Sequence, residues 1–308
     1  MMTVSLLGEP LIVLRDRDGE VAAFVDECPH RGAPISMGTR QGDELVCSFH
    51  GWRFGLDGAA TSIPSLGPGA VLPARARLGR PAQVCERYGI VWVALEHPRS
   101  PILDWPDGDD ASLGEFSPTA HTSAVLAGYQ TDNLLDASHF PFLHRSLRAR
   151  SPRLGGYEVL AEHELGFATR VAYRLAADEG ATEGWLNYAC AAPFTVSLRN
   201  EKTDGSLRRS FFQAIQPIDE HSTRMFFIVR GPETDQAMLD ELRAVEETVQ
   251  QEDLWITAAQ RRRQLSLDDG VDLHVRSDKN GIMYRRVMRR LLLSAQSTSA
   301  SADRSAER

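Results

Sequence analysis

The residues with the plainest chemistry stand in two short stretches, Cys28-Pro29-His30-Arg31-Gly32 and Cys47-Ser48-Phe49-His50-Gly51-Trp52, which read as C-x-H, sixteen residues, then C-x2-H. Thiolates and imidazoles on paired loops can hold a metal. A structural zinc site usually takes two Cys two to four residues apart and two His three to five apart. Here each loop gives one of each kind, which suits two inequivalent irons. Cys28 and Cys47 would hold one iron of a [2Fe–2S] cluster, and His30 and His50 the other, where His in place of Cys raises the reduction potential. Gly32 and Gly51 would let backbone N–H groups approach the sulfurs and tune that potential. A zinc site, or Cys and His that share no metal, are the alternatives. Cys85 and Cys190 have no partner at ligand spacing and read as buried thiols.

A second constellation lies in Asp132-Asn133-Leu134-Leu135-Asp136-Ala137-Ser138-His139-Phe140-Pro141-Phe142-Leu143-His144. Two His and a carboxylate with open positions make the facial triad of non-haem Fe(II) oxygenases. Asp136 and His139, three apart, share one helical face. His139 and His144, five apart, lie about 140° round a regular helix, so a straight helix cannot aim both at one metal. Pro141 removes the bond to the Ala137 carbonyl, and the break it imposes would bring them together. The third ligand must come from elsewhere. In a helical stretch from 233 to 264, Leu242, Val245, Val249, Ile256 and Ala259 trace an apolar stripe, and Asp253 falls inside it. A carboxylate on a buried face needs a partner, and a metal would serve. Glu252 is its rival, and a solvated carboxylate is the plain alternative. Asn133 reads as orienting a ligand, contacting substrate or opening a helix.

The elements that must position these residues fall into two parts. Residues 1–97 read as a small all-β domain: Leu11 to Leu14 and Val21 to Val25 flank the turn Asp16-Arg17-Asp18-Gly19, and Gln83 to Glu86 and Ile90 to Leu95 flank Tyr88-Gly89. Residues 98–114 have the Pro, Gly and Asp content of a linker. A second domain, 115–293, carries a helical segment around 132–144. Strand-like runs follow near 157–175, 185–199, 207–216 and 223–230, then the long helix and a basic helix near 279–293. The polar tail 294–308 reads as disordered. With 308 residues the chain needs no disulfides for its core, and its net charge of −8 argues against nucleic acid. No apolar run approaches the length of a membrane span, and the N-terminus lacks the pattern of a signal peptide. The expectation is a soluble protein of the cytoplasm.

On CPHRG, C-x2-HGW and D-x2-H-x4-H, the chain resembles the Rieske non-haem iron oxygenases, from about residue 6 to residue 293. Ser48 and Phe49 stand where the family commonly has Pro and Tyr, and the chain begins after a Trp–Tyr pair common in the family. The resemblance implies an α+β fold, a small Rieske domain followed by a curved antiparallel sheet with long helices around a mononuclear iron. It implies His139, His144 and Asp253 as iron ligands, the last before the basic run Arg261-Arg262-Arg263. Asp136 would bridge electron transfer between His139 and His50 of a neighbouring copy in a homotrimer. With no G-x-G-x-x-G motif in the chain, electrons would come from a separate NAD(P)H-oxidising reductase, with or without a ferredoxin. The chain looks like the branch that hydroxylates C–H bonds or removes methyl groups from O or N, using O2 on an aromatic or polycyclic substrate. Cis-dihydroxylation is the runner-up, and a pure Rieske electron carrier or a zinc-containing binding module are readings from other classes. Segments 185–199 and 207–230 would line the pocket, with Asn187 and Gln213 as polar candidates.

Overall fold

The computed structural model describes residues 1–147, 153–177, 180–268 and 270–306. They form two units, Met1–Pro101 with Ile218–Glu220, and Ile102–Pro217 with the residues from His221 onward.

The first unit is built from short antiparallel strands. Met2–Leu6, Glu9–Arg15 and Val21–Val25 make a three-stranded sheet. Thr39–Gln41, Glu44–Val46, Arg53–Gly55 and Ala60–Ser62 make a four-stranded one. Gln83–Arg87 and Ile90–Ala94 close on Tyr88-Gly89 as a hairpin. Both expected hairpins are present. Ile12, Leu14, Phe24, Ile35, Leu45, Phe54 and Leu78 form one core, and Cys28 and Cys47 are buried in it.

The second unit centres on an antiparallel sheet whose long strands lie in the order Thr223–Gly231, Leu207–Pro217, Thr195–Lys202, Gly180–Ala191, Gly166–Ala177. The run expected at 185–199 therefore contains a reversal, because the residues on both sides of Pro193 are apolar and no polar turn separates them. Strand alternation sorts the faces. Leu186, Leu198, Phe211, Gln213, Phe227 and Val229 sit in register on one face. That face meets the helices: Leu135 and Ala137 pack with Leu186 and Leu198, and Met283, Tyr284 and Val287 join the same cluster. Phe227 and Val229 pack with Leu134 and Leu239.

Four helices carry or support the second constellation: α1 (Ala127–Leu135), α2 (Phe140–Leu143), α3 (Gln236–Ala259) and α4 (Lys279–Ala306). Asp235 caps α3, its side chain accepting from Met238 N at 3.1 Å. Buried Asn280 of α4 donates to Leu135 O at 3.2 Å and pairs with Thr169 Oγ1 at 2.7 Å, so the end of α1 is pinned where the site begins. Helix α4 runs through the tail expected to lack structure, as far as Ala306; that segment has neither Gly nor Pro to stop a helix.

The stretch 98–114 is a boundary only at Pro101 and Ile102. Past it the backbone is anchored. Trp105 is buried, donates from Nε1 to Ser210 Oγ at 2.7 Å and packs on Phe212, and Asp107 pairs with Arg199. Composition measured turn content there and missed the one large side chain that docks the segment. No helix among the described residues is long and apolar enough to cross a membrane.

Candidate metal centres and pocket

The two Cys/His loops fold alike. Cys28 N donates to Ala33 O and Gly32 N to Cys28 O, while Cys47 N donates to Trp52 O and Gly51 N to Cys47 O. Gly32 and Gly51 close these turns with φ of 71° and 69°, values that a Cβ resists. Their own N–H groups are therefore spent on the Cys carbonyls, and the turns they close leave other backbone N–H groups to approach the sulfur. The N–H groups of His30 and Arg31 are the ones that reach the Cys28 thiol. Burial pushes that thiol up, and its neighbour Cys47 adds to the shift. His30 and His50 bring their Nδ1 atoms to 3.1 Å, with ring centroids 4.5 Å apart, and His30 stacks on Trp52 at 4.6 Å. Two buried sulfurs and two converging ring nitrogens are a donor set that fits a [2Fe–2S] centre with two His on one iron.

In the second unit α1 ends at Leu135, and Asp136 is the residue that ends it. Its backbone turns extended, and its Oδ1 accepts from Ser138 N at 2.7 Å and Ser138 Oγ at 2.5 Å. His139 then opens the single-turn α2 and His144 closes it. The break expected at Pro141 thus lies five residues earlier. Pro141 itself sits in the first turn of α2, where its missing N–H costs nothing.

Across α2 the imidazoles face each other with centroids 5.1 Å apart. Each has a carboxylate behind it: Asp136 Oδ2 lies 3.2 Å from His139 Nδ1, and Glu252 Oε2 lies 3.2 Å from His144 Nδ1. Both Nε2 atoms therefore point the other way, toward Asp253 Oδ1, at 3.3 Å for His139 and 3.8 Å for His144. One donor atom from each of His139, His144 and Asp253 falls within 4.8 Å of the others. His139 Nε2 is buried, with Asp253 Oδ1 the carboxylate oxygen it faces. Burial alone would lower the pKa of His139, but hydrogen bonds and charge from Asp136 and Asp253 win and raise it to about 9. A place that draws a proton this strongly suits a cation. For His144 burial prevails and its pKa falls, which favours the neutral ring that ligates metal. Two imidazole nitrogens and one carboxylate oxygen with open positions are the donor set of a non-haem Fe(II) site, and these residues fit it.

Asn133 donates from Nδ2 to Asp253 Oδ1 at 3.1 Å, so it holds the carboxylate. Glu252, considered only as Asp253's rival, instead supports His144. Neighbouring positions on α3 point about 100° apart, and this lets the two acids reach different atoms.

A cavity of about 830 Å³ opens beside His139, His144 and Asp253. Its walls include Leu134 of α1, Leu186, Leu198, Phe211, Phe227 and Val229 of the sheet, and Leu242 and Val249 of α3. Gln213 lines it and is buried, with Oε1 unpartnered. Asn187 does not line it. One position from Leu186, it takes the opposite sheet face and donates to Glu201 Oε2 at 3.0 Å. The expectation that both amides serve the pocket is corrected for Asn187 by the two-residue period of a strand.

Residues 1–76 match the Rieske [2Fe-2S] domain, and residues 127–294 match the vanillate O-demethylase oxygenase C-terminal domain. The chain is 28% identical over 296 residues to methylxanthine N1-demethylase NdmA of Pseudomonas putida, covering 94% of this chain and 82% of that protein. It is 34% identical over 149 residues to the vanillate O-demethylase oxygenase subunit of Pseudomonas sp. (strain ATCC 19151), covering 46% of this chain and 42% of that one. Among solved structures, Pseudomonas putida CBB5 NdmA superposes with a TM-score of 0.74 at 27% identity, covering 92% of this chain and 82% of its own. Dicamba monooxygenase bound to dicamba shares the fold, with a TM-score of 0.77 at 21% identity over 96% of this chain and 93% of its own.

Proposed function

The chain belongs to the Rieske non-haem iron oxygenases, with a catalytic domain of the vanillate O-demethylase type, and from that premise we propose how its own residues do the work. It is an oxidoreductase with a [2Fe–2S] cluster, the oxygenase component of a system that hydroxylates or demethylates small aromatic molecules. The proposed cluster ligands are Cys28 and Cys47 on one iron and His30 and His50 on the other. The proposed mononuclear site is His139, His144 and Asp253. The observation that carries this reading is the convergence of those three donors within 4.8 Å at the wall of an apolar cavity of about 830 Å³.

When bound, Fe(II) would supply the binding and activation of O2 beside the substrate. The chain's part is to fix the donors and exclude water. Asp136 and Glu252 hold the Nδ1 side of each imidazole, which presents Nε2 to the metal. Asn133 keeps Asp253 turned toward both rings. Leu134, Leu198, Phe211 and Phe227 hold an aromatic ring against the site in surroundings poor in water.

Electrons are proposed to come from a separate NAD(P)H-dependent reductase, directly or through a ferredoxin, in the cytoplasm. Asp136 then links His139 to His50 of a neighbouring copy in a homotrimer, the carboxylate bonding to both rings. The test supplies the iron-loaded protein with a surrogate reductase, NADH and a panel of aromatic methyl ethers, N-methyl amines and polycycles. Substrate-dependent O2 uptake is expected with a product gaining one oxygen, or with formaldehyde released from a methyl group. Products gaining two hydroxyls would favour ring dihydroxylation. An active cluster with no product from any compound would overturn the proposal.

A further inference from the structure

The pocket holds two polar side chains that the metal centre does not use. Gln213 lies on the helix-facing side of the sheet, between its cross-strand neighbours Val196 and Phe227. It is 5% exposed, and its Oε1 is enclosed with no partner. Glu246 lines the same cavity from α3, one step from Val245 and among Leu242 and Val249. Its carboxyl makes no hydrogen bond or ion pair among the described residues. Burial pushes Glu246 up to about 7, with the charge of Asp253 adding to the shift and Arg209 opposing it.

Neither group is explained by folding. A half-buried carboxyl that faces a cavity among aliphatic side chains costs stability unless something bonds to it, and so does an unpartnered amide oxygen. The nearby cation is already engaged, since Arg209 pairs with Glu233. Of the other basic residues on the wall, Arg208 donates to Glu183 O at 3.2 Å, and Arg153 and Lys202 are exposed. The wall keeps two acceptors without a protein partner, the Glu246 carboxyl and Gln213 Oε1, against one unpartnered donor, the buried Arg208 Nε. Glu246 and Asp253 are seven residues apart on α3, so they share a helix face and are separated by about 10 Å along the axis. A ligand with one end at the metal donors would bring its other end to Glu246.

We propose that Glu246 forms the recognition end of this pocket, with Gln213 a second acceptor on its wall, and that the substrate is a small aromatic molecule carrying an N–H or ammonium donor on the side remote from the oxidised carbon. The inference rests on the reading that the oxidised carbon lies beside His139, His144 and Asp253. It separates this chain from enzymes that would take a benzoate-like anion in the same orientation, because a carboxylate facing Glu246 would be repelled.

Three probes that differ only at the end opposite a methoxy group test it on the iron-loaded protein by calorimetric titration: 4-methoxybenzylamine, 4-methoxytoluene and 4-methoxyphenylacetate. The amine should bind about tenfold or more tighter than the toluene, the size of effect a charge-assisted hydrogen bond gives, and the acetate should bind weakest. In Glu246→Gln the preference for the amine should shrink to about threefold or less, while 4-methoxytoluene binds as before. Without ligand, Glu246→Leu should melt no lower than the unchanged protein, because it removes a half-buried carboxyl that no protein group needs; a structural role would lower the melting temperature. Gln213→Leu should weaken the amine and leave iron content unchanged. Acetate binding as tight as the amine, an undiminished amine preference in Glu246→Gln, or a clear loss of stability in Glu246→Leu would each overturn the proposal. If none of the three ring compounds binds protein with a full complement of iron, the pocket itself has been misassigned and the broader function falls with it.

Discussion

Replacing Glu252 by Ala and by Gln isolates the least obvious part of the metal centre. The side chain of His144 is 2% exposed, and its Nδ1 has one carboxylate at 3.2 Å, that of Glu252. Partners placed like this typically change metal affinity ten- to a hundredfold when removed, or about 1.4–2.8 kcal/mol at roughly 1.4 kcal/mol per tenfold. Ala leaves the His144 N–H buried without an acceptor, and it also strips the Arg145 backbone N–H of its contacts at 3.4 Å. It should therefore reach the upper end of that range. Gln keeps an oxygen in place but loses the charge that polarises the ring, so it belongs near the lower end. The assay is iron retained per chain against a competing chelator. The visible spectrum of the [2Fe–2S] cluster, which belongs to the other unit, serves as the internal standard. Loss of mononuclear iron with an unchanged cluster spectrum is the expected pattern. An Ala variant that holds its iron as tightly as the unchanged protein would refute the argument that Glu252 fixes His144 for the metal.

His139→Ala should lose one iron per chain and keep the cluster spectrum, and oxygenation retained by that variant would remove His139 from the ligand set. Asp136→Asn should keep both metals and slow electron transfer from cluster to mononuclear site in a single turnover; unchanged kinetics would count against Asp136 as the bridge. Leu135, fully buried where α1 meets the sheet and α4, should cost about 2–5 kcal/mol on truncation to Ala, read as a lower midpoint in denaturant. A midpoint that does not move would mean that the end of α1 is held by its Asn280 hydrogen bond rather than by packing.

What could be read in the chain before its fold was known depended on whether the signal is local. The hairpins at Asp16–Gly19 and Tyr88-Gly89 are written in a few adjacent residues, and both formed as expected. The end of the strand at Ala191 was hidden because Ala192, Pro193 and Phe194 carry the apolar character across the reversal. Trp105 made the apparent linker into a docked segment, and its partner Ser210 is 105 residues away. Asn187 departs from expectation for another reason. Composition identified a strand near the pocket, but only the register with Arg199 decides which face a given residue takes.

The site follows the same rule. His139 and His144 were visible as a pair, but their aim comes from carboxylates at very different sequence distances, Asp136 three residues away and Glu252 over a hundred. Asp253, Glu252 and Asp136 bring three carboxylates to two imidazoles. Even with a proton on His139, the acids outnumber the cations, and burial works against a second proton on His144. Asn133 eases Asp253 with one hydrogen bond but brings no charge. A divalent cation among the two Nε2 atoms and Asp253 Oδ1 offsets more of this charge than a proton can, and it uses the ring nitrogens that face away from Asp136 and Glu252. The arrangement is therefore better explained by a metal centre than by an ion-pair network, because an ion-pair network would have no reason to turn both rings toward the same oxygen.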